Sequence, residues 1–409
     1  MQKVANIHII GGGTVSHVRA HLALAAVAYG GTARDLRNLC YRDIPEMNTI
    51  LHFTRMAGGE METNEDVAKL VKNLVKDKRT KVIFMTAALV DYSGEIDGVP
   101  GEKYAPRLKT REGFSRLMSL TPTQKIISSI GSERKDITLV GFKTTCGATR
   151  TEQYLAGLHL LKENSCNLVF ANDIKTRLNM VIVPEEAKYF VTKDRQKALE
   201  GLVHMVKMRS QLTFTRSTVI AGDPIPWKSP LVPKTLRKVV DHCIKRKAYK
   251  PFRGVTAGHF ACKLSDTTFL TSRRKTNFND LQKVGLVKVE TSGPDTVLAY
   301  GSKPSVGGQS QRIVFQDHPE TDCIVHFHSP LKKGSRVPTA SQMEVECGSH
   351  QCGKNTSTKL KKFGNLKAVY LDNHGPNIVF SKDTDPTEVI DFIEKNFDLD
   401  QKTGGLVTV

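Results

Sequence analysis

Over residues 4–210, short apolar runs alternate with amphipathic stretches. VANIHII (4–10) has the continuous apolarity of a buried strand, and the small apolar residues of VRAHLALAAVAYGG, after GGGT, predict a helix packed closely on a sheet. NTILHF (48–53), KVIFMTAALV (81–90), ITLVGF (137–142), NLVFAND (167–173) and NMVIV (179–183) predict further strands. Between them lie a helix over 65–75, capped by Thr63 or Asn64, and helical stretches near 122–131 and 150–163. Such alternation predicts an α/β fold of Rossmann-like type, a mostly parallel sheet with helices on both faces.

The segment AGDPIPWKSPLVPK holds four prolines and the single tryptophan, and predicts an extended connection. After it, KTLRKVVDHCIKRKAYK puts Leu236, Val239, Val240, Cys243 and Ile244 on one helical stripe. From Gly254 onward short strands and turns predominate, ending in the helix PTEVIDFIEKNF, which predicts an α+β domain. The expected organisation is a domain over 1–220, a linker over 221–233 and a second domain over 234–409.

The length of 409 residues, with 39% hydrophobic and 25% charged positions, gives material for more than one core and excludes a disordered chain. The N-terminus leads into glycines rather than an apolar signal core, and the eight cysteines include no CxxC pair; a cytoplasmic protein with free thiols and no membrane span is expected. The net charge of +19 is shared almost equally by the two halves. It attracts a nucleotide, a sugar phosphate, RNA or another polyanion alike.

GGGT, with Gly11, Gly12, Gly13 and Thr14, follows a strand, where backbone N–H groups can hold phosphate; a glycine run serves equally as a tight turn. Further on, AALVDY, RLKT, TPTQ, VGFKTT and AND all fall at or beyond strand ends. Singly, Asp91 reads as a strand-end cap, Asn172 and Asp173 as a turn, and Lys109 as a solvated surface group. In this order, with Val18 and Arg19 behind GGGT, the set resembles the phosphopantothenoylcysteine synthetase family, the ligase half of the coenzyme A flavoproteins. The resemblance implies CTP or ATP with Mg2+, activating a carboxylate for attack by an amine. It places phosphate at Gly11 to Thr14, the metal and triphosphate near Asp91, and the base pocket at Phe142, Asn172 and Asp173, with Lys109 as the catalytic cation. The chain departs from the family where Arg107 replaces the first lysine, where GFKTTCG lacks the glutamate, and where the Ser-Ser-Gly loop behind Val18-Arg19 is replaced by AHLALAAVAYGG.

In DCIVHFHSP, His326 and His328 are two apart on an apolar strand and share a face; His374 precedes a glycine in NHGPNIV, where a tight turn and close approach are allowed. Three neutral imidazoles with a fourth position open make a catalytic-type zinc site, whereas HxH alone serves as well in a core or on a surface. With GHFACKLSD, FLTSRR and KPSVGG ahead of it in order, this constellation resembles the class II aldolase/adducin family over 234–398. The resemblance implies Zn2+ or another divalent metal on His326, His328 and His374, with Thr271, Arg273 and Ser305 as phosphate contacts. The family's glutamate acid/base falls on Gly307, and its loop asparagine on His259. His350 in CGSHQCG is a substitute base or, equally, a loop residue.

Two functions follow. One is a metabolic enzyme or enzyme relic, a lyase, epimerase or ligase type acting on a phosphorylated small molecule and a nucleotide, and expected from the resemblances to be a dimer or tetramer. The other is a non-catalytic basic protein that binds RNA or another polyanion, for which the sequence shows no aromatics interleaved with basic residues.

Overall fold

The structure, a computed structural model, describes residues 4–109, 111, 113 and 115–403. Its contacts divide the chain into two compact units: residues 1–184 with 189–210, and residues 185–188 with 211–409.

The first unit is built on a seven-stranded sheet. From edge to edge its strands are Lys188–Thr192, Asn179–Ile182, Leu168–Asp173, Thr138–Thr145, Thr80–Met85, Asn6–Gly11 and Asn48–Phe53. The last five pair in parallel, and Asn179–Ile182 pairs antiparallel to Leu168–Asp173. Ile7, Ile9, Val82, Phe84, Val140 and Phe170 are buried completely, as strands covered on both faces require. The helix Asn64–Lys76 begins at Thr63 with a capping box closed by Asp66, and Arg150–Asn164 begins at Thr149 with one closed by Glu152.

One expectation is corrected. The segment after GGGT is not helical: Val15–Arg19 and Leu22–Ala25 form an antiparallel hairpin, and the helix starts only at Gly31, running to Asp43. The alanine-rich sequence favours a helix locally. Tertiary packing overrides that preference, because Gly13 lies so close to the returning chain that a Cβ there would stand 1.9 Å from the carbonyl oxygen of Ala26. AVAYGG thus forms the approach to a helix that starts at Gly31, with Gly30 left-handed at φ 75°.

The second unit carries a ten-stranded sheet whose main path runs Arg216–Ile220, Thr296–Tyr300, Leu286–Gly293, Thr268–Ser272, His259–Lys263, Cys323–His326, Gly375–Phe380, Leu366–Leu371 and Thr339–Ala340. Lys361–Phe363 adds at the side of Leu366–Leu371. The helix Lys234–Lys245 buries Leu236, Val239, Val240 and Cys243 against this sheet's core, with Ile244 half-buried. Two features lie outside the expected organisation. Arg216–Ile220, assigned above to the first domain, is an edge strand of this sheet. The proline-rich segment is packed rather than free: Trp227 is 1% exposed, its Nε1 donates to Asp241 Oδ1 at 2.9 Å, and Ile225 pairs with Leu286. Among the described residues no helix is long and apolar enough to cross a membrane.

Candidate functional site

The three histidines singled out in the second half of the sequence converge. His326 ends the buried strand Cys323–His326, His328 follows two residues on, and His374 lies at the turn between Leu366–Leu371 and Gly375–Phe380. Since Cys323–His326 and Gly375–Phe380 are antiparallel neighbours, with His326 opposite Asn377, the turn brings His374 back over the HxH pair. A close approach makes this possible: a Cβ at Gly375 would stand 2.0 Å from the Phe327 carbonyl oxygen, so only glycine lets the turn sit so near.

All three rings are buried, at 1%, 5% and 2% exposure for His326, His328 and His374. Ring centroids are 4.4 Å apart for His326 and His374, 4.7 Å for His328 and His374, and 5.2 Å for His326 and His328. One ligand atom from each can be chosen so that all lie within 4.8 Å of one another. His326 Nδ1 lies 2.8 Å from the Pro376 carbonyl oxygen, which as an acceptor fixes the proton there and leaves Nε2 to face His374 Nε2 at 3.1 Å. Tetrahedral zinc at bond lengths of about 2.0–2.1 Å sets neighbouring nitrogens about 3.3 Å apart, so this spacing fits a shared cation. Burial, with His259 and His328 adding to it, holds His326 well below the ordinary imidazole range, so its ring is neutral.

Several partners were not singled out as part of this site. His259 stacks on His326 with centroids 4.7 Å apart and contacts the Gln311 side chain through Nδ1; burial first, then His328, lowers it to about 3. The antiparallel pairing of His259 with His326, readable only once the strands are assigned, brings it there. Glu186, which clusters with the second unit, is buried at φ 65°; its Oε2 lies 3.5 Å from His328 Nδ1 and 2.6 Å from Lys402 Nζ. Nothing in the local sequence marks Glu186, and only the fold brings it to the histidines.

The expected phosphate contacts lie near one another, with their groups partly engaged. Thr271 is fully buried, and its hydroxyl donates to the Phe260 carbonyl and to Gln311 Oε1, both at 3.2 Å. Arg273 is half-buried and donates from Nη1 to the Val284 carbonyl at 3.0 Å. Ser305 precedes the helix Val306–Asp317, and its backbone N–H donates to the Ser272 carbonyl at 2.9 Å. Gly307 sits in that helix and supplies no carboxylate. His350 stands apart, beside Thr215 Oγ1 at 2.8 Å and Asp295 at 3.5 Å.

In the first unit Gly11 to Thr14, Asn172 and Asp173 lie at the carboxyl ends of parallel strands, the edge where such sheets hold ligands, whereas Phe142 lies inside Thr138–Thr145 and Lys109 in the connection before Met118–Pro122. Much of their polar chemistry is already used by the fold. Gly12 is left-handed at φ 101° and packs on Thr54, while a Cβ at Gly11 would stand 2.5 Å from that of Ala33. Thr14 donates to Asn64 Oδ1 at 2.7 Å and accepts from Val90 N–H at 3.0 Å. The Asp173 carboxylate accepts from the backbone N–H groups of Thr176 (2.7 Å), Ala148 (3.0 Å), Lys175 (3.0 Å) and Gly147 (3.1 Å) and from the Thr145 hydroxyl (2.8 Å). These donors, the Thr176 N–H foremost, hold it far below the usual carboxylate range. Asn172 accepts from Thr144 Oγ1, Phe142 is half-buried against Phe170, Asp91 pairs with Lys125, and Lys109 is exposed.

Comparison with known proteins follows the same division. Residues 46–210 match the family model of the DNA/pantothenate metabolism flavoprotein C-terminal domain, and residues 240–387 that of the class II aldolase and adducin N-terminal domain. The coenzyme A biosynthesis bifunctional protein CoaBC of Thermococcus kodakarensis is 28% identical over 116 residues, a stretch that covers 28% of this chain and 27% of that relative. Among solved structures, the DNA/pantothenate metabolism flavoprotein of Streptococcus pneumoniae aligns at 18% identity and TM-score 0.42, over 50% of this chain and 98% of its own. YgbL of Escherichia coli, a putative aldolase/epimerase/decarboxylase, aligns at 19% identity and TM-score 0.30, over 40% of this chain and 83% of its own. The chain therefore fuses a flavoprotein C-terminal-domain-like half, of the DNA/pantothenate metabolism type, to a class II aldolase and adducin-like half.

Proposed function

We propose that the second unit is a zinc-dependent enzyme domain, of lyase or epimerase type, acting on a phosphorylated small molecule. The observation that carries this reading is the convergence of three buried imidazoles with ligand atoms within 4.8 Å of one another. His326, His328 and His374 would hold the cation, with His326 set for it by the Pro376 carbonyl. Bound there, zinc or another divalent ion would supply polarisation of a carbonyl or enediolate oxygen. The acidic partner of His328 is Glu186, placed to orient that ring as outer-shell carboxylates do. Arg273, with Ser305 and Thr271 near it, supplies positive charge for a phosphate group.

The first unit, on the same proposal, takes a nucleotide, CTP or ATP with Mg2+, along the edge formed by Gly11 to Thr14, Asp91, Phe142 and Asn172. Asp173 shapes the loop that borders this edge rather than contacting the nucleotide. Lys109 is the cation expected to meet the phosphates.

Elemental analysis of the full chain tests the first part. About one zinc per chain is expected, absent from His326→Ala. Zinc at a thousandfold excess over its Kd raises the stability of the second unit by about 4 kcal/mol. A wild-type chain that binds no divalent transition ion under these conditions overturns the reading.

A further inference from the structure

Two cysteines that the histidine centre does not use, Cys347 and Cys352, flank the start of the helix His350–Lys359. Ser349 caps it, accepting from the Cys352 N–H at 3.0 Å, so Cys352 lies in the first turn, where unpaired helix N–H groups favour negative charge. Gly348, between the two cysteines in sequence, is left-handed at φ 89°. The two side chains line one cavity together with His374, Asn377 and His259. Gln342 Nε2 lies 3.6 Å from Cys352 Sγ, a further donor to that sulfur. Cys347 is half-buried, and Cys352 is buried behind it in the same cavity wall.

The contrast with the other cysteines is chemical. Burial pushes Cys40, Cys166, Cys243 and Cys262 up to about 12 and Cys323 well above its ordinary value, which makes them inert thiols. Cys352 moves the other way: the hydrogen bond from Cys347 lowers it against the effect of burial, with Gln342 helping, while Cys347, as the proton holder, is raised. Cys146 is exposed and serves as an internal reference for simple accessibility.

We propose that Cys347 and Cys352 form an oxidisable dithiol that closes to a disulfide in the cavity wall beside His374. A hydroperoxide is the oxidant. The Cys352 thiolate attacks a peroxide oxygen, so an S–O bond forms as the O–O bond breaks, and the leaving oxygen takes up a proton. The Cys347 sulfur then attacks the sulfenic sulfur; the S–S bond forms, and hydroxide leaves with the Cys347 proton as water. Two thiols lose two electrons and two protons, and the peroxide takes up both. This inference stands on the thiols alone and is independent of the cation reading.

Titrating the full chain with hydrogen peroxide, alkylating with iodoacetamide and following the tryptic peptide 337–354 by mass spectrometry tests it. Both cysteines lie in that peptide. The expected result is a peptide lighter by two hydrogens and resistant to alkylation until dithiothreitol is added, at doses where Cys146 still alkylates. In Cys347→Ser the same doses should leave Cys352 as a sulfenic or sulfinic acid, while Cys146→Ser should leave the disulfide unchanged. Full alkylation of both thiols at doses that already oxidise Cys146 overturns the proposal. So does a sulfinic Cys352 beside a free Cys347 in the wild-type chain.

Discussion

The carboxyl edge of the first unit's sheet and the histidine cluster of the second unit are built from equally suggestive sequence motifs, yet the fold uses them differently. At the first, Asp173 gives its carboxylate to four backbone N–H groups and a hydroxyl, and Thr14 bonds on both sides to its own chain. At the second, His326 gives one ring nitrogen to the Pro376 carbonyl and turns the other towards His374. A polar residue near a ligand edge can be there to hold that edge in shape. Three imidazoles buried together are expensive to desolvate, and their facing nitrogens have the spacing that a shared cation would need.

The sharpest way to break the comparison is to remove a ligand. His326→Ala should lower zinc affinity by more than about 100-fold, beyond what loss of an outer-shell partner does, and leave nucleotide binding to the first unit intact. Competition with a chromogenic chelator measures the first quantity and nucleotide titration the second. Gly375→Ala attacks the approach of the turn rather than the ligands. Overpacking against the Phe327 backbone should cost about 3 kcal/mol of the second unit's stability in a denaturant melt. Glu186→Gln should leave the histidines in place and weaken zinc by about 10–100-fold, seen in the same chelator competition.

On the first unit, Asp173→Asn should lower thermal stability at pH 7. Its folded carboxylate titrates below the unfolded one, so its stabilisation is full above the unfolded pKa of about 4 and is lost as pH falls from there through the lower folded value. The gap in Tm between wild type and variant should therefore narrow in acid. The smallest effect is expected for Lys109→Ala, which should change stability by less than about 0.5 kcal/mol because the side chain is exposed, while weakening nucleotide affinity in a binding titration.

Much of this arrangement was legible residue by residue. The helix start at Thr63 or Asn64, of which the structure uses Thr63, the strands NTILHF and ITLVGF, and the stripe from Leu236 to Cys243 follow local rules that need no partner: a side chain satisfying a helix end, or apolar residues spaced for one face. The HxH pair and the glycine after His374 were readable for the same reason, since a strand's period and a glycine's freedom are local. The segment 18–31 misled because its alanines report helix propensity, while the packing of Gly13 on Ala26 decides for a hairpin at its start. The proline-rich stretch misled because composition cannot show that Trp227 would find Asp241 and a core to enter.

By itself the sequence determined an α/β unit followed by an α+β unit, the apolar strand that leads into His326 and His328, and the turn that carries His374, because periodicity and backbone freedom are properties of neighbouring residues. The tertiary structure alone decided that His259 would stack on His326, that Glu186 would stand by His328, and that Asp173 would be spent on its own loop. Those outcomes depend on which strands pair and which turns return, and the free energy of such contacts is shared among residues far apart in the chain.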